Sequence, residues 1–237
     1  MRFAKGIIVF CMLMSLSSVF GSGIPEAAAG NGNPEVLSDA LRFKEEYESL
    51  NGMPRSDTSF ALYNTTYIPE KNAVRYIDAQ KAFELLGSPS SSSVIYFGAN
   101  WCPWCRNIIP VLLEEVDRNS VPALYYVDVT DERDKYVLAD GAAVRESEGT
   151  EGYSRLLEAL DEYLKPYILT SDSGESVDTG EKRMYIPFLL VVDKGKVLHA
   201  VLCEYALEEN QTKFDPLSEA QADMLHSWFS GMLAALH

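Results

Sequence analysis

Four cysteines and three histidines are all that 237 residues contain. Small secreted scaffolds stapled by disulfides are far denser in cysteine, so no such framework holds this chain. A zinc site would need a second ligand pair beside the single Cys-x-x-Cys, and His199, His226 and His237 stand too far apart to supply one. Cations are scarce too. Lys and Arg number 20 against 35 Asp and Glu, a formal charge of −15, which argues against nucleic acid or anionic lipid as a partner surface. No internal repeat is visible. Apolar residues are plentiful at 47%, enough for a packed core and against disorder.

Long apolar runs are limited to one, Gly6 to Phe20, after the basic start Met1-Arg2-Phe3-Ala4-Lys5. Small residues follow at Gly21-Ser22-Gly23 and Ala27 to Gly30. That layout is a secretory signal peptide over residues 1–23. The alternative is an uncleaved membrane anchor, but the run is shorter than the roughly 20 residues a spanning helix needs. Phe10 before Cys11 is not the small residue of a lipoprotein signal. The mature protein is therefore expected outside the cytoplasm, whether secreted, periplasmic or cell-surface. Losing Arg2 and Lys5 takes the charge from −15 to −17 and leaves Cys102, Cys105 and Cys203.

Residues 24–70 read as a small-residue tether followed by a helical extension. Asn33-Pro34 opens that helix, Val36, Ala40, Phe43, Tyr47 and Leu50 give its apolar period, and Asn51-Gly52 ends it. From residue 71 to 237 strands and helices alternate. The apolar runs Val94–Phe97, Ala123–Val127 and Phe188–Val192 are strands of the buried type. Asp193-Lys194-Gly195 turns the last of these into a hairpin. Ser218 with Gln221 is a capping box ahead of a final amphipathic helix. The block 130–183 reads as charged and helical, ending in a polar acidic loop from Ser171 to Arg183.

The chemistry sits at Trp101-Cys102-Pro103-Trp104-Cys105, between a buried strand and a helix start. A thiol at a helix N-terminus faces unpaired N–H groups and the positive end of the dipole, which favours its thiolate. Cys102 can then attack a partner disulfide, and Cys105, one turn on, can resolve the mixed disulfide. A purely structural disulfide is the rival reading, although it would close too short a loop to add much stability.

These residues resemble the thioredoxin superfamily over roughly Val74 to His237. Trp101 precedes the first cysteine, basic Arg106 follows the second, and Pro110 falls five residues after Cys105. Ile186-Pro187 before an apolar strand looks like the family's cis-proline, with Gly195 at the hairpin glycine. The resemblance implies an α/β thioredoxin fold, a central mixed sheet flanked by helices. To it this chain adds an inserted helical segment before the cis-Pro strand and the N-terminal helical extension. It also implies a catalytic set of Cys102, Cys105 and Pro187, and a substrate groove of Trp101, Pro103, Trp104, Ile186 and Cys203. Arg106 would support the thiolate. No metal or organic cofactor is called for, the redox group being the Cys102–Cys105 disulfide.

Departures from the family are informative. Tyr96 stands where thioredoxins carry a buried acid, six residues before the nucleophile, which removes the usual proton acceptor. Phe188 replaces the threonine common after the cis-proline. Cys105 and Pro187 are 82 positions apart, about twice the family's interval, hence the insertion at 130–183. Its acidic end, with Asp172, Glu175, Asp178 and Glu181, either selects partners at the redox face or is a solvated loop. Cys203 takes the place of a groove glycine and is either a small buried hydrophobe or a third thiol near Cys102. Function is accordingly expected to be thiol–disulfide exchange on protein substrates, as reductase more than oxidase because Trp101 and Pro110 resemble thioredoxin. A membrane or exported redox partner would supply electrons. The alternative is a binding or accessory module at the cell surface with little catalysis.

Overall fold

The computed structural model describes residues 34–56, 61–171 and 173–236. The leader, Cys11, the tether, the Asn33 cap and Asp172 lie outside them. The chain opens with α1 (Pro34–Glu48), β1 (Val74–Tyr76), α2 (Ala79–Leu86), β2 (Ser92–Gly98), α3 (Pro103–Arg118) and β3 (Leu124–Asp128). Local chemistry fixes several of these boundaries. Asp78 caps α2 by accepting from the Lys81 N–H at 2.7 Å, and α3 starts on a proline, whose missing N–H costs nothing in a first turn.

Residues 130–183 depart from the helical expectation. They form β4 (Lys135–Ala139), β5 (Ala142–Ser147), α4 (Glu151–Ala159), a 3-10 turn at Asp161–Tyr163, β6 (Lys165–Thr170) and β7 (Ser176–Arg183). The segment is thus two antiparallel hairpins around one short helix, and the supposed loop at 171–183 is mostly strand. Asp140-Gly141, both at positive φ (50° and 76°), is the dipeptide of a tight hairpin turn. Charged residues on the outward strand faces gave the block its helical look.

After β8 (Phe188–Asp193) and β9 (Lys196–Leu202) the chain ends in α5 (Glu219–Leu233) and a short 3-10 turn. Five strands make the central mixed sheet in the order β1-β3-β2-β8-β9. β2 runs parallel to β3 and antiparallel to β8. Strand alternation in β2 sends Val94 and Tyr96 into one apolar layer, with α1, α3 and α5. Ile95 and Phe97 enter the other, with α2 and α4. Phe43 and Tyr47 of α1 are fully buried there, each contributing about 1.5–3 kcal/mol, so the helical extension is part of the core. Among the described residues no helix is long and apolar enough to cross a membrane.

Candidate active site

β2 delivers the chain to Ala99, whose carbonyl accepts from the Cys102 N–H at 3.2 Å. Cys102 is the N-cap of α3, and its Sγ accepts from the Cys105 N–H at 3.3 Å. Ala99, Cys102 and Cys105 pack with Trp101, Trp104 and Ile186. The Cys102 thiol points at the Ile186 carbonyl, 3.8 Å away, and the Ile186–Pro187 peptide bond is cis. Residues 84 positions apart therefore meet at one sulfur.

The two thiols are driven in opposite directions. Burial opposes the Cys102 thiolate, but the Cys105 thiol, the N–H groups of Cys105 and Trp104, and the Arg133 guanidinium outweigh it and hold its pKa below the ordinary value. Burial raises the Cys105 pKa well above normal, helped by the bond to Cys102 and by its charge. The Tyr96 hydroxyl is buried and closes no ordinary hydrogen bond. It lies within electrostatic reach of Cys105 and favours the thiolate there. No carboxylate takes that place in the layer.

Arg106, the residue expected to support the thiolate, spends its hydrogen bonds elsewhere. Its side chain is buried, and all five of its donors are engaged. Nε and Nη2 donate to Asn64 O at 3.1 and 2.8 Å, Nη1 to Tyr47 O at 2.7 Å and Asn100 O at 3.1 Å, and Nη2 also to Asn51 Oδ1 at 2.5 Å. The guanidinium thus ties α3 to the extension. The positive charge near Cys102 comes from Arg133, whose guanidinium lies 5.4 Å from the Trp101 ring centroid. Nothing in the sequence around Arg133 marks it. Arg133→Ala is expected to move the pH midpoint of Cys102 alkylation upward, so that labelling at pH 6–7 slows, with Arg133→Lys shifting it less. An unchanged or lower midpoint would count against this role.

The expected groove residues divide. Trp104, Ile186, Pro187 and Cys203 line a cavity of about 920 Å³ beside the sulfur. Trp101 and Pro103 do not line it: Pro103 is buried, and Trp101 turns its Nε1 to Thr130 Oγ1 at 2.9 Å. Cys203 is fully buried under the cavity, its N–H on Pro187 O at 2.8 Å, and burial pushes its thiol pKa far up. Of the acidic residues at 171–183, Asp178 reaches the cavity, while Glu181 pairs with Arg145 at 3.2 Å. Sequence reasoning missed Tyr185 and Tyr205, both on the cavity wall. Among the described residues no three potential metal-ligating side chains converge.

No protein-family model and no curated protein matches the chain. Solved structures do: oxidised thioredoxin O2 from Arabidopsis thaliana is similar at 18% identity and a TM-score of 0.32, over 56% of this chain and 85% of that one.

Proposed function

We propose that the chain is a thioredoxin-like thiol–disulfide oxidoreductase. It acts on protein disulfides outside the cytoplasm, through Cys102 and Cys105, and runs as reductase more readily than oxidase. The observation that carries this is the sulfur of Cys102, placed on the first turn of α3 and facing the carbonyl before cis-Pro187. A thiolate there attacks a substrate disulfide and expels one substrate thiolate. Cys105 then attacks the Cys102 sulfur and releases the second, leaving Cys102–Cys105 oxidised and the substrate reduced by two electrons. Burial is the main cause of the raised Cys105 pKa; mixed-disulfide formation removes the further contributions of the Cys102 charge and hydrogen bond, so the resolving thiol loses its proton more readily at that stage. A membrane or exported dithiol partner returns the electrons. Residues 1–23 support the extracytoplasmic setting by their signal-peptide pattern.

Insulin reduction tests the reading. Cys102→Ser is expected to lower turnover by at least about a thousandfold, and Cys105→Ser to accumulate a mixed disulfide with substrate. A wild type no faster than Cys102→Ser leaves only the accessory-module reading, which the near-complete burial of Cys102 (4% exposed) favours. Equilibration with glutathione sets the direction: a reductase has a potential below roughly −230 mV, and a value above about −180 mV would make the protein an oxidant.

A further inference from the structure

The inserted β6–β7 hairpin forms one wall of the cavity beside Cys102. Pro166 and Ile168 come from β6, and Tyr185 follows β7. Trp104 and Tyr205, packed edge-to-face with centroids 4.9 Å apart, line the cavity too. The wall is braced. Pairing of β6 with β7 is broken between Pro166 and Ile168, and the Tyr185 hydroxyl fills the gap. It accepts from the Ile168 N–H at 3.0 Å and donates to Pro166 O at 3.3 Å. The Ile168 backbone is thereby held, and the residue, 39% exposed, lines the cavity. Lys165 pairs with Glu204 at 3.1 Å, joining the hairpin to the segment after β9.

Any substrate sulfur that reaches Cys102 brings its own neighbours into this space, because Ile186 and Pro187 belong both to the sulfur's surroundings and to the cavity lining. The lining is largely aromatic and aliphatic. Its charged members are Asp178 and Glu204 against a single cation, Lys165, in a chain of charge −15. A large apolar side chain fills such a cavity, and a carboxylate meets repulsion there.

We infer that the β6–β7 hairpin makes this cavity a selectivity pocket for a cysteine-bearing polypeptide segment with a large apolar residue beside the cysteine. The inference rests on the exchange reading above and adds the class of substrate. Small acidic thiols such as glutathione, with two carboxylates and no apolar side chain, fall outside that class.

The test uses reduced full-length protein and short peptides whose one cysteine is disulfide-linked to thionitrobenzoate, with Leu, Ser or Glu beside the cysteine. Attack by Cys102 displaces coloured thionitrobenzoate and leaves the peptide on Cys102. The Leu peptide is expected to react about tenfold faster than the Ser peptide, and the Glu peptide slowest. Ile168→Glu should reduce the Leu preference to about threefold or less. Val137→Glu, on the other hairpin and also exposed, should keep it. Equal rates for the three peptides, or a preference that survives in correctly folded Ile168→Glu, would overturn the inference. Calorimetric binding of the same peptides with cysteine replaced by serine separates the two readings. Leu-selective binding without exchange would remove the exchange chemistry and keep the pocket. Absence of both selective binding and selective exchange would remove the pocket.

Discussion

Replacing Arg106 by methionine is expected to destabilise the protein by about 4 kcal/mol, read as a drop in the urea midpoint. Methionine keeps much of the apolar length and removes every donor. Tyr47 O, Asn64 O, Asn100 O and Asn51 Oδ1 then lose their Arg106 donors in a site that is 1% exposed. Each abandoned acceptor costs about 1–3 kcal/mol, less what water or Thr66 recovers. Arg106→Lys should restore less than half, because one ammonium cannot reach acceptors spread around a planar fork. A change below about 1 kcal/mol for methionine would show that Arg106 is not what ties α3 to the extension.

Gly152→Ala should cost about 2 kcal/mol, although alanine is the better helix former by nearly 1 kcal/mol. A Cβ at Gly152 would lie 2.3 Å from Gln80 N and 2.6 Å from Gln80 Cα. Those atoms are backbone of the first turn of α2 and cannot swing aside. That turn is itself pinned by Glu132, which accepts from the Ala79 N–H at 3.0 Å and from Thr150 Oγ1 at 2.5 Å. Forcing α2 from α4 therefore disturbs the residue next to Arg133. Gly231→Ala in α5, where nothing stands within 4 Å, should instead raise stability by up to about 1 kcal/mol. Thermal melts of the two variants are expected to move in opposite directions, and a shift of the same sign would refute the packing argument.

What could be read from sequence is what local pattern controls. The apolar runs of β2, β3 and β8, the turn at Lys194-Gly195 and the Ser218/Gln221 capping box are governed by neighbours a few residues away. So was the placing of Cys102 at the start of α3. The two inserted hairpins are not legible in the sequence because outward charges mask their alternation. The tie from Arg106 to the extension is not legible locally, because its partners lie 6 to 59 positions away and only the fold brings those carbonyls around it. Arg133 and Tyr185 carry no motif, and their roles come from what the insertion packs against.

Neither hairpin hydrogen-bonds into the five-stranded sheet. At the base of the insertion the strands leaving and returning are stitched together, with Arg183 Nη1 donating to Asp134 O at 3.3 Å across 49 positions. A hairpin whose two ends stand side by side can be exchanged for one of another length at little entropic cost, since closure depends only weakly on loop size. The register of β2 against β3 and β8 need not change when it is exchanged. Partner choice can therefore diverge among descendants of this chain, or be re-engineered by replacing the β4–β5 or β6–β7 hairpin while α4 keeps its place in the apolar layer, with the sulfur chemistry staying where α3 puts it.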